Sequence, residues 1–96
     1  MNEAAPYELV VTPPAVRAIQ AIQAKLPEPV AAAVVEFLTG PLITNPHRIG
    51  KELRGDLAGI RSARRGTYRV LYRINEGARE VVVLRVDHRR DVYGHR

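Results

Sequence analysis

Gly59-Ile60-Arg61-Ser62-Ala63-Arg64-Arg65-Gly66-Thr67-Tyr68-Arg69-Val70-Leu71-Tyr72-Arg73, followed after one turn by Val81-Val82-Val83-Leu84-Arg85-Val86-Asp87-His88-Arg89-Arg90-Asp91-Val92-Tyr93, is the stretch that decides the fold. Arginines alternate with strand-forming residues at period two, the pattern of a sheet with one face on a core and the other in solvent. Tyr68, Val70, Tyr72 and Ile74 share one face and are expected to meet helices; Arg69, Leu71 and Arg73 share the other. Gly66 permits a tight or bulged turn between two strands, and Asn75-Glu76-Gly77 supplies the next hairpin. The run Val81–Val86 predicts a central strand buried on both faces. From His88 to Arg96 a short helical or irregular tail is expected.

Upstream, Tyr7–Val11 reads as a short strand ended by Pro13-Pro14. Thr12 is placed to cap a helix whose first position is Pro13, where the missing N–H costs nothing. Val16, Ile19, Ile22 and Leu26 form its apolar stripe, and Leu26-Pro27 closes it. A second helix starts near Glu28-Pro29 with Val30, Val34, Leu38 and Leu42 on one stripe and Val35 beside it; Gly40-Pro41 ends or kinks it and Asn45-Pro46 finishes it. Residues 47–56, with Gly50 and Gly55 among basic side chains, predict a loop. The order is β-α-α-β-β-β, an α+β domain: a mainly antiparallel four-stranded sheet, two N-terminal helices on one face and the other face open.

A chain of 96 residues is expected to form one domain over 1–96, with 1–6 flexible. Only four tyrosines and one phenylalanine are present, so Val, Ile, Leu and Ala must fill the core. There are no cysteines, and the histidines at 47, 88 and 95 lack the spacing of a zinc site, so no metal and no cofactor are expected. The sequence shows neither a membrane span nor a secretory signal, which predicts no membrane partner and a cytoplasmic location. The formal charge of +5 is unevenly placed. Residues 1–46 hold two basic and four acidic side chains, a net of −2, whereas residues 47–73 hold eight basic and two acidic ones, a net of +6. A local basic face concentrates polyanions, nucleic acid first among them.

An arginine guanidinium is a planar fork that stays charged, suited to phosphate. Arg69 is the leading candidate, because its parity aims it away from the helices. Arg64 could converge with it across the hairpin, and Arg61, Ser62 and Arg65 are alternatives for the same face. His88, past the valine strand and beside Arg89 and Arg90, could move a proton near neutral pH. Tyr93 could stack on a base. The competing reading of each is bland: exposed strand arginines, a strand-terminal histidine, a tail tyrosine packed on the sheet. For RNA the chemistry needs no metal, since a 2′-hydroxyl placed in line can attack its own phosphate once arginines offset the developing charge. There is no Gly-x-Ser-x-Gly elbow, phosphate loop or carboxylate pair, which removes the common hydrolase, kinase and glycosidase classes.

Arg64-Arg65-Gly66-Thr67-Tyr68-Arg69-Val70-Leu71-Tyr72 resembles the Arg-x-Gly-Asp-Tyr-Arg-hydrophobic-hydrophobic-Tyr hairpin of the RelE/ParE toxin superfamily. His88-Arg89-Arg90-Asp91-Val92-Tyr93 is similar to its terminal His-Arg-x-x-x-Tyr, and Asn45-Pro46 through Lys51-Glu52-Leu53-Arg54-Gly55 and Leu57-Ala58-Gly59 resembles the loop feeding its second strand. The resemblance is to the RelE branch and runs over residues 7–96. It implies a RelE-like fold and a toxin of a type II toxin–antitoxin system that cleaves mRNA in the ribosomal A site, leaving a 2′,3′-cyclic phosphate and stopping translation. The implied partners are the ribosome with its mRNA and rRNA, and a cognate RelB-like antitoxin that is acidic or amphipathic.

Carried over by position, Arg69 and Arg89 would stabilise the scissile phosphate and Tyr93 would orient or stack on the substrate, while Lys51, Arg54 and Arg64 would contact RNA backbone. Arg61 and Arg65 join that RNA-binding set. Members with two active-site lysines have them where Ile60 and Ser62 stand here, so His88, or more weakly Arg61, is the expected replacement base. A ParE-like inhibitor of DNA gyrase and an inactive antitoxin-binding homologue are the alternatives.

Overall fold

Residues 5–88 are described in the computed structural model; the expected flexible start up to residue 4 and the tail beyond His88, including Arg89, Arg90 and Tyr93, lie outside the described residues. Strand β1, Glu8–Val11, stops one residue before Pro13, and α1 runs Pro13–Lys25 with proline in its first turn. Thr12 takes the extended capping conformation, but its hydroxyl makes no cap. It donates to the carbonyls of Val83 at 2.8 Å and Leu84 at 3.2 Å instead, tying the start of α1 to the last strand. The core side of α1 carries Ile19, Ile22 and Leu26, as the periodicity predicts, but Ala15 and Ala18 complete it and Val16, expected on the stripe, is exposed.

Helix α2, Glu28–Thr39, buries Ala31, Val34, Phe37 and Leu38 and leaves Val35 exposed. Two single-turn helices follow, α3 Pro41–Thr44 and α4 Pro46–Ile49. Each starts at a proline, which cannot continue the preceding hydrogen-bond ladder but fits a first turn. Leu42, expected on the second helix, is therefore buried from α3. The region expected to be loop holds α4 and a two-residue strand β2, Lys51–Glu52. A 3₁₀ turn at Gly55–Leu57 leads to β3, Arg61–Arg65, then β4, Tyr68–Asn75, and β5, Glu80–His88.

The sheet has five strands in the order β1-β5-β4-β3-β2, the fifth being the short β2. Among the described residues only β1 and β5 pair in parallel; the other strand contacts are antiparallel. A bulge lies in the β4–β5 pairing, where Tyr72 opposes Val83 but Leu71 opposes Arg85. Leu84 is the extra residue. It switches the parity of β5, so Val81 and Val83 point to the core before it, and Val86 and His88 after it. Val82 and Leu84, on the other face, are only half-buried, which corrects the expectation of a strand buried on both faces, although β5 is central as expected, between β1 and β4.

One core lies between the helices and the sheet, built on Val34, Leu42, Val70, Tyr72, Val81 and Val83, all fully buried. Each such aliphatic side chain contributes about 1.5–3 kcal/mol by leaving water. The Tyr72 hydroxyl donates to the Pro46 carbonyl at 2.6 Å and fixes α4 over the sheet. Gly50 allows this approach: a Cβ there would stand 2.7 Å from both the Ser62 carbonyl oxygen and the Tyr72 hydroxyl.

Candidate nucleic-acid interface

Tyr68, Val70 and Tyr72 of β4 are buried towards the helices, as the alternation predicts, and Arg69 and Arg73 between them are exposed on the opposite face. The register then builds that outward face in rows. Arg64 of β3 stands directly opposite Arg69, and Arg69 directly opposite Asp87 of β5. The adjoining row is Lys51, Ser62, Leu71 and Arg85, one residue from each of four strands. Side chains directly opposed have Cβ atoms about 4.5–5.5 Å apart, so Arg64, Arg69, Lys51 and Arg85 share one face, with Ser62, Leu71 and Asp87 among them.

Asp87 is the acid that could neutralise Arg69, yet Arg85 takes it, donating to Oδ1 at 3.0 Å. The guanidinium groups of Arg64 and Arg69 form no hydrogen bond or ion pair among the described residues. Like charges directly opposed across two strands destabilise a sheet. An anion lying between the two guanidinium groups would reverse the sign of that contribution, and two planar forks side by side match the oxygens of a phosphodiester.

Other expected site residues sit elsewhere. Arg61 opposes Tyr72 on the helix side and is half-buried; its Nη2 donates to the His47 and Gly50 carbonyls, both at 2.8 Å. It fastens α4 to β3 and is not on the basic face. Arg65 opposes Tyr68, also on the helix side, with its guanidinium carbon 5.1 Å from the centre of the Phe37 ring. Arg54 is exposed in the connection after β2, outside the sheet. His88 opposes Tyr68, is 8% exposed, and has Nε2 3.0 Å from the Thr67 hydroxyl. The parity switch at Leu84 turns this imidazole to the face opposite Arg69, so it does not join the arginines as the expected base. The same switch brings Arg85 onto the basic face, where a reading by simple alternation would not find it. Arg73 was legible by its shared parity with Arg69.

A second polar cluster joins the chain's start to the β4–β5 turn. The Tyr7 hydroxyl donates to Glu76, His47 Nε2 bonds the same carboxylate, and Arg79 lies over the Tyr7 ring at 4.2 Å and donates to the Ala5 carbonyl. The His47 bond, then the Tyr7 hydroxyl, hold Glu76 below the usual carboxylate range, and the Glu76 bond pushes Tyr7 up. Among the described residues no group of three or more His, Cys, Asp or Glu could hold a metal, and no helix is long and apolar enough to cross a membrane.

Residues 9–93 match the family described as the ParE toxin of the type II toxin–antitoxin system parDE. Toxin RelE of Mycobacterium tuberculosis is 47% identical over 93 residues, covering 97% of this chain and 92% of its own length. The chain belongs to the RelE family of type II toxins. Toxin RelG of the same organism is 61% identical to this toxin over 69 residues, 72% of this chain and 79% of RelG. The toxin also superposes on a chain of the M. tuberculosis toxin–antitoxin complex RelBE2 with a TM-score of 0.80 and 53% identity, over 88% of this chain and 100% of that one. The α+β architecture, helices on one face of an open sheet, is thus the RelE-like fold that the hairpin motif implied.

Proposed function

We propose that this toxin is a metal-independent endoribonuclease that cleaves mRNA in the ribosomal A site in the cytoplasm and so stops translation and growth. The observation that carries the reading is the opposed pair Arg64 and Arg69, exposed, without a carboxylate partner, on a sheet face that bears Lys51, Arg73 and Arg85 as well. The 2′-hydroxyl loses its proton and its oxygen attacks the adjacent phosphorus in line. The bond to the 5′-oxygen breaks and that oxygen takes up a proton, leaving a 2′,3′-cyclic phosphate. Arg69 and Arg64 stabilise the charge that builds on the phosphoryl oxygens, and arginine suits this because it never gives up its proton. Arg89 and Tyr93, outside the described residues, complete the site by the family resemblance.

The base is not His88 in this reading, because it lies on the other face. In the two rows around Arg69, Lys51 and Asp87 are the described side chains that can exchange a proton. Lys51→Met and Asp87→Asn tell them apart in single-turnover cleavage. A cognate antitoxin, RelB-like and acidic or amphipathic, neutralises the toxin. Toeprinting of a translating ribosome with added toxin tests the whole reading: a new stop in the A-site codon is expected. Intact mRNA together with inhibition of gyrase supercoiling would instead give the ParE-type activity, and neither effect an inactive homologue.

A further inference from the structure

Tyr68 is 5% exposed, and its hydroxyl has no hydrogen-bond partner among the described residues. Burial pushes this phenol up, against the pull of Arg65, so the group remains a protonated donor. It lines a cleft of about 390 Å³ between α2, the start of α3 and the β3–β4 turn, together with Glu36, Phe37, Pro41 and Arg65. The floor is apolar, and the Arg65 guanidinium lies over Phe37 at its edge. A buried donor without an acceptor costs stability that a phenylalanine would not. Its retention in the free chain points to an acceptor that arrives from outside.

We propose that this cleft seats an aspartate or glutamate side chain of a protein partner, the antitoxin. Its methylene groups would rest on Phe37 and Pro41, and its carboxylate would accept from the Arg65 guanidinium and, once side chains at the rim move aside to open the sealed hydroxyl, from Tyr68. Polypeptide is favoured over RNA because the cleft has an apolar floor and opens on the helix side of the sheet, away from Arg64 and Arg69. The charge of the occupant follows from the donors, Tyr68 and Arg65, with the exposed Glu36 carboxylate as the one opposing group. The inference rests on the antitoxin reading above.

The test measures affinity of the full-length toxin for the antitoxin encoded beside it, and the melting temperature of the free toxin. Tyr68→Phe should melt at or above the wild type, because an unsatisfied hydroxyl is gone, yet bind the antitoxin about tenfold more weakly. Arg65→Gln should weaken binding in the same direction. Glu36→Gln should tighten it, since the opposing charge is removed. Exchanging the antitoxin's acidic residues singly for their amides should reveal one whose loss is not additive with Tyr68→Phe. Equal affinity of the wild type and Tyr68→Phe overturns the inference, as does weaker binding by Glu36→Gln, which would mean a basic occupant. Loss of RNA binding alone in Tyr68→Phe, tested with a short oligoribonucleotide, overturns it too. If the wild type fails to bind the antitoxin at all, the antitoxin reading itself is wrong.

Discussion

The two faces of β4 differ by one residue of phase and by everything else. Tyr68, Val70 and Tyr72 are 5%, 0% and 0% exposed, whereas Arg69 and Arg73 stand in solvent. The inward face is held by aliphatic packing and by the Tyr72 hydroxyl bonded to the Pro46 carbonyl, with the Tyr68 hydroxyl as its unsatisfied group. On the outward face Arg64 is set against Arg69 while the nearby carboxylate of Asp87 is held by Arg85. Stability comes from the first face, and the like charges opposed on the second work against it.

The largest effect expected is from Tyr72→Ala, which removes a fully buried ring and the Pro46 bond; about 3–5 kcal/mol should be lost in denaturant unfolding. A cost below 1 kcal/mol would break the division between the faces. Gly50→Ala comes next, about 1–3 kcal/mol, because its methyl would meet backbone of β3 and the Tyr72 hydroxyl. Arg64→Ala should leave stability within about 0.5 kcal/mol or raise it slightly, while lowering the salt dependence of RNA binding by about one phosphate contact. An unchanged salt slope would remove Arg64 from the interface.

Smallest is the Glu76 cluster. A carboxylate held below its unfolded pKa adds stability above the unfolded value, near pH 4.3, and loses it as pH falls through the folded one. Glu76→Gln should therefore melt lower than the wild type at pH 7, and the difference should vanish in acid. A difference that is the same at pH 3 and pH 7 would contradict the assignment.

Much of this was legible in the sequence because it rests on local periodicity. The alternation from Tyr68 to Ile74, the proline that starts α1, and the Arg65-Gly66-Thr67-Tyr68 turn, with Gly66 at φ 60°, follow from residues close in the chain. The parts that were not legible depend on distant pairing. β2 is strand only because Lys51 and Glu52 meet Ser62 and Arg61, and β1 lies parallel to β5 across most of the chain. The bulge at Leu84 carries no glycine to announce it, yet it decides that His88 faces the helices and Arg85 the open side. Arg61 and Arg65 looked like members of the basic face by type; register sends both to the helix side, Arg61 to backbone carbonyls and the exposed Arg65 over Phe37.

Arg69→Ala tests the central claim most directly, in single-turnover cleavage of mRNA on programmed ribosomes with unfolding free energy measured on the same preparation. The expected result is a loss of about 10²–10³ in cleavage rate with stability within about 0.5 kcal/mol of the wild type. Cleavage at the wild-type rate by a folded Arg69→Ala toxin would contradict it.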